Sequence, residues 1–136
     1  MFYKVFQNIF NFFSGLFSRK HIERVPIPRK LREELWLKYC GNNNNGLCYC
    51  CGKVVNRYNG GWHAAHVISE DKGGETTLEN LRVSCQHCNL SMGNQNLYCY
   101  IKVKKLKGPG RYKCKSYFTK YPLQIGDKRT NNYGKK

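Results

Sequence analysis

Two pairs of cysteines, Cys48 with Cys51 and Cys85 with Cys88, each have two residues between the partners. Four soft thiolates in that spacing are what a closed tetrahedral zinc site requires. Residues 52–84 are enough chain for a hairpin to leave and return, and Gly52 suits a tight knuckle that turns backbone amides toward sulfur. Cys50 is an alternative to Cys51, although the two-residue gap and Gly52 favour Cys51; His87, inside the second pair, is expected to point away from the metal. Such a site has no open position, so its zinc is a scaffold: it links the first knuckle to the start of a later helix in a core too small to hold itself.

Between and just after the knuckles lie residues suited to a different chemistry: His63, His66, Asn80, Arg82, Asn89 and Asn96. A neutral imidazole with an ordinary pKa of about 6.5 accepts a water proton at physiological pH. An asparagine oxygen is a hard, neutral ligand suited to magnesium or manganese, with phosphate oxygens and water completing the shell. His63 and His66 differ by an odd number and so face opposite ways on a regular strand; both reach one ion only through a bulge. Asn80 reads as a turn residue whose side chain ties the loop backbone and thereby holds His66. Asn89 is a metal ligand or a helix cap, Asn96 touches the nucleic-acid backbone or caps, and Arg82 is a solvated strand residue or a phosphate clamp.

The elements that must position these groups are short. Residues 29–39 predict a helix entered through Pro26 and Pro28, with Leu31, Leu35, Trp36 and Tyr39 on one face and an asparagine-rich turn at its end. A strand over 62–69 and a second over 81–84 read as a hairpin, with Gly73-Gly74 in the return. One helix is expected over 88–101. Before this core, residues 1–24 form an amphipathic aromatic segment, too polar in pattern for a membrane span; residues 25–101 form the zinc-containing domain, and residues 102–136 a basic extension broken at Gly108-Pro109-Gly110.

The formal charge is +16, with only 8 aspartate and glutamate residues, so an acidic partner is the default and the composition argues against a carboxylate-rich two-metal centre. A hydrophobic fraction of 40% argues against a wholly disordered basic tail. Thiolates kept for zinc imply a reducing compartment, the cytoplasm or nucleus of a host cell, and no small-residue cleavage site marks residues 1–18 as a secretory signal.

The phrases His66-Val67-Ile68-Ser69, Gly73-Gly74, Asn80-Leu81-Arg82 and Cys88-Asn89 followed by Ser91-Met92-Gly93, set between two knuckles, resemble the HNH endonuclease family in its zinc-bound form, and are similar to HNH proteins of large DNA viruses. The resemblance covers roughly residues 27–101. It implies an α+β fold of the small ββα-metal (His-Me finger) type, a metal-dependent cut or nick in DNA, structural Zn2+ and catalytic Mg2+ or Mn2+. Carried over by position, it makes His66 the general base, Asn80 the middle asparagine and Asn89 the third motif residue and ligand of the catalytic cation. Many members have an aspartate or histidine ligand just before the base, where this chain has Ala65. The cation then rests on Asn89 and the nucleic acid, or recruits His63. Arg82, Lys102, Lys104 and Lys105 are the expected nucleic-acid contacts, with DNA ahead of RNA. Two other functions compete: a zinc module that binds nucleic acid without cutting, which Ala65 keeps open, and a protein tethered to anionic lipid through residues 1–20.

Overall fold

A computed structural model describes residues 24–122; most of the aromatic segment 1–24 and the end of the basic extension lie outside the described residues. Helix α1, Arg29–Cys40, begins directly after Pro28, whose fixed φ of −56° presets the entry and whose carbonyl accepts from the Arg32 amide at 3.1 Å. Leu35 and Trp36 are fully buried on its inner face, while Leu31 is only partly covered and Tyr39 sits at the rim.

Among the described residues four short strands make two separate antiparallel hairpins. In the first, β1 (Asn45–Leu47) pairs with β2 (Val54–Asn56), and the first cysteine knuckle is its tip. In the second, β3 (Trp62–His66) pairs with β4 (Leu81–Cys85), Trp62 opposite Cys85 and His66 opposite Leu81. Strand β3 stops at His66, short of the expected residue 69: pairing runs on one rung to Val67 and Asn80, after which the Asn80 side chain takes the Ile68 backbone groups. The Val67 amide donates to the Asn80 carbonyl at 2.8 Å, and the Val67 carbonyl accepts from the Leu97 amide at 3.0 Å. Both faces of this hairpin are covered, since Ala64, Leu81 and Val83 are buried on one side and Ala65 and Ser84 on the other. Trp36 of α1 meets Trp62 with ring centroids 5.3 Å apart.

The single helix expected over residues 88–101 is two helices, α2 (Gln86–Met92) and α3 (Leu97–Val103). Gly93 takes φ +57°, a left-handed conformation that glycine adopts without penalty, and ends α2. Asn96 then caps α3, its Oδ1 accepting from the amides of Tyr98 and Cys99. Of the two roles expected for it, Asn96 takes that of a cap; it is buried, and its amide donates to the Tyr117 hydroxyl at 2.8 Å.

Beyond Val103 the chain stays on the core. The Gly108 and Gly110 amides donate to the carbonyls of Cys50 and Tyr49 at 2.9 and 2.8 Å. Helix α4, Arg111–Lys120, stacks Tyr117 on Tyr98 with centroids 4.4 Å apart. Among the described residues the architecture is α+β: two hairpins and four α-helices around one buried cluster, with Cys48, Cys50, Cys85 and Cys88 at its heart. Among the described residues no helix is long and apolar enough to cross a membrane.

Candidate functional site

The sulfurs of Cys48, Cys51, Cys85 and Cys88 all lie within 4.8 Å of one another. Zinc about 2.3 Å from each of four sulfurs in a tetrahedron separates them by about 3.8 Å; the Cys51 and Cys85 sulfurs are 3.9 Å apart. The donor set and spacing therefore fit a structural zinc ion. Backbone groups support it: the Cys88 amide points at the Cys85 sulfur at 3.4 Å, and the Gly52 amide closes the knuckle on the Cys48 carbonyl at 2.9 Å. Cys50 stands beside the cluster rather than in it. Its thiol holds Cys48 down to about 4 by hydrogen bonding, while that bond and burial push Cys50 itself far up. Burial likewise raises Cys51 and Cys88, a cost that coordination to a dication removes.

The other end of the β3–β4 hairpin opens into a cleft of about 450 Å³, lined by His66, Ala64, Glu70, Asp71 and Asn89, with Arg24 at its rim. His66 is the last residue of β3, and its Nε2 lies 3.0 Å from the Thr76 hydroxyl and 3.5 Å from Glu70 Oε1. Burial pushes the imidazole below its ordinary pKa; Glu70 pulls it up, and Arg24 adds to the decrease. It is thus neutral at physiological pH and able to accept a proton.

Asn80 reaches His66 through the backbone. Its Oδ1 accepts from the Ile68 amide at 2.9 Å, and its Nδ2 donates to the carbonyls of Ile68 (2.9 Å) and Glu75 (2.8 Å). All three bonds lie within the 68–80 loop and, with the Val67–Asn80 bond, pin the chain directly after His66. The same clamp requires Gly74: a Cβ there would stand 1.8 Å from the Ile68 carbonyl oxygen and 2.9 Å from Asn80 Nδ2.

Asn89, one residue beyond Cys88 of the cysteine cluster, lines the cleft from α2. Its amide nitrogen donates to His63 Nδ1 at 3.0 Å, which leaves Oδ1 for the cleft. His63 does not itself line the cleft; it reaches the site through Asn89. The Asn89 oxygen is hard and suits magnesium or manganese rather than a soft metal, while the Glu70 carboxylate in the same cleft accepts from the Thr76 hydroxyl at 3.0 Å.

Residues 48–95 match the HNH endonuclease family model. No curated protein and no solved structure matches the chain. The matched segment opens on the first knuckle and closes just past α2, so it holds the four cysteines, His66 and Asn89, while the entering chain at Arg24 to Ile27, which also lines the cleft, precedes it.

Arg82 is not brought to the cleft. It pairs opposite Ala65, on the face away from His66, and its guanidinium lies 5.5 and 5.4 Å from the Tyr39 and Tyr49 ring centres. Its Nη1 donates to the carbonyls of Glu79 and Leu81, both at 2.7 Å. Such a side chain serves the fold; the part of it that meets solvent lines a second cleft with Lys113 and Lys120. Lys102, Lys104 and Lys105 are exposed around the end of α3, and none lines the His66 cleft. Sequence reasoning missed Arg24, Glu70 and Thr76. Neither carried a signal in its spacing: Glu70 lies four residues past the end of a strand, and it and Thr76 come to the imidazole only through the loop's path.

Proposed function

We propose that this chain is a metal-dependent endonuclease that hydrolyses phosphodiester bonds in DNA. The observation that supports it most is the meeting, in one cleft, of a neutral, half-buried imidazole (His66) and a hard oxygen (Asn89) carried on a helix that starts at the cysteine cluster, both residues within the segment that matches the HNH family model. His66 takes a proton from the attacking water as its oxygen bonds to phosphorus; the bond from phosphorus to the 3′ oxygen breaks, and that oxygen leaves with a proton from solvent. A divalent cation held by Asn89 supplies charge neutralisation at the scissile phosphate and the leaving oxygen when bound. Asn80 positions His66 by fixing the backbone after it, His63 positions Asn89, and Arg24 is the cation best placed to meet a phosphate entering the cleft. The exposed Lys102, Lys104 and Lys105 add attraction for the duplex backbone that does not depend on base sequence.

The reading is tested by nicking of supercoiled plasmid with purified protein, with and without EDTA. Magnesium or manganese should support cleavage, and His66→Ala should lower the single-turnover rate at least ~100-fold, the usual scale for losing a general base, with zinc content and DNA affinity close to wild type. Equal rates for His66→Ala and wild type would refute His66 as the base. The binding-only reading, which Ala65 favours by removing a neighbouring ligand, expects DNA binding with no metal-dependent cleavage at all.

A further inference from the structure

Resting on the assignment of His66 as base, we infer that Thr76 and Glu70 are positioning residues that hold the His66 imidazole in one tautomer, with its proton on Nε2 and its lone pair on Nδ1. The inference follows from counting protons along three atoms. The Thr76 hydroxyl lies 3.0 Å from Glu70 Oε1 and 3.0 Å from His66 Nε2. An ionised carboxylate only accepts, so the single hydroxyl proton of Thr76 is directed at Glu70. The hydroxyl oxygen then has only lone pairs to offer His66, and Nε2 must be the donor. A neutral imidazole has one N–H, so Nδ1 is left unprotonated and is the nitrogen able to take a proton from water.

The surroundings suit this arrangement. Glu70 comes from the short 3-10 turn Glu70–Lys72, just beyond the end of β3, and Thr76 from the segment that Asn80 clamps at Glu75. The charged groups lining the cleft with His66 are Glu70 and Asp71 from that turn and Arg24 from the entering chain. Helix α2 presents neutral Asn89, Leu90 and Met92, and β4 places Leu81 opposite. Only Glu70 of these is linked to the imidazole through a hydroxyl, at a direct separation of 3.5 Å. When Nδ1 takes a proton, the imidazolium keeps its Nε2–H on Thr76, and the nearby carboxylate stabilises the new charge.

The test uses the full chain, labelled with 15N, and reads the imidazole nitrogens of His66 by long-range 1H–15N correlation at neutral pH, beside single-turnover cleavage across pH. Wild type and Thr76→Ser should show the Nε2–H tautomer alone, and Thr76→Ser should keep most of the rate. Thr76→Val removes the acceptor. Glu70→Gln lets an amide donate to Thr76 and so frees its proton to point the other way; both variants should show a mixture of tautomers, a rate lower by about tenfold, and an acid limb of the pH profile moved from that of wild type. Glu70 is exposed, so Glu70→Gln carries the test even where Thr76→Val fails to fold. Retention of the pure Nε2–H tautomer in Glu70→Gln and in folded Thr76→Val would overturn the inference. If the tautomer changes as expected while wild type shows no cleavage, the pair stands as the group that orients His66 and the nuclease reading falls instead.

Discussion

The two ends of one hairpin carry opposite kinds of site. At the Trp62–Cys85 end are four like sulfurs, buried or half-buried and closed around a single point. At the His66–Leu81 end, four steps of strand or roughly 13 Å away, is an open cleft lined from the entering chain, β3, the turn after it and α2. The first site needs only two local pairs and a return path, and its chemistry is the same at every ligand. The second mixes histidine, asparagine and carboxylate, and its groups are held by others: His66 by Thr76, Asn89 by His63, and the intervening loop by Asn80. A closed site of this kind contributes folding free energy, whereas an open one leaves side chains available to substrate. The two are coupled by sequence, because Cys88 and Asn89 are neighbours on α2.

Breaking the closed end should have the larger effect. Cys88→Ser or Cys51→Ser should lose zinc and unfold both hairpins together with α2, since a structural zinc site carries on the order of 10 kcal/mol. Elemental analysis and thermal unfolding, with Cys114→Ser as a mild control, check this. Zinc-free wild type that unfolds with an unchanged midpoint would remove the scaffold role.

Breaking the open end should leave the fold intact. Asn89→Ala should lower cleavage with wild-type zinc content, and raised magnesium or manganese should recover part of the loss; Asn89→Asp, supplying a charged oxygen, should retain activity. His63→Ala should cost less than Asn89→Ala, because His63 acts by orienting the amide. Its defect should appear mainly as a weaker apparent metal affinity, on the order of 10-fold. A His63→Ala loss larger than that of Asn89→Ala, recovered by added metal, would move His63 into the ion's own shell.

The smallest effect is expected at the surface that belongs to neither end. Lys104→Gln and Lys105→Gln should lower the slope of log affinity against log salt by about 0.9 for each phosphate contact removed, equally for all DNA sequences. The same pair of changes should leave zinc content and the temperature of unfolding near wild type, as both side chains are exposed.

The cysteine cluster was legible because metal ligation by local pairs is a one-dimensional pattern: spacing alone brings Cys48 to Cys51 and Cys85 to Cys88. The hairpin was legible from alternation and from Gly73-Gly74, and α1 from its prolines and buried stripe. The helix over 88–101 is two helices, and Gly93-Asn94-Gln95-Asn96 in the middle of that stretch carries a stop signal in the sequence itself. The break depends on Gly93 adopting φ +57° and on Asn96 finding amides to cap and the Tyr117 hydroxyl to bond, partners that only the folded chain supplies.

Sequence by itself therefore determined the ligand type of the closed site, the strong positive charge and the order in which candidate residues occur. Tertiary structure alone decided which of those residues face one another. Arg82 is one residue from Leu81, yet strand alternation turns it to the tyrosines on the far face, where packing and carbonyl hydrogen bonds hold it. Thr76, with nothing in its neighbourhood to single it out, is carried against His66 by a loop whose path is set by the Asn80 clamp and by the absence of a side chain at Gly74. The physical reason is common to both: spacing along the chain governs contacts only within a turn or a strand, and the direction of a side chain across an irregular loop is set by hydrogen bonds that close after the chain has folded.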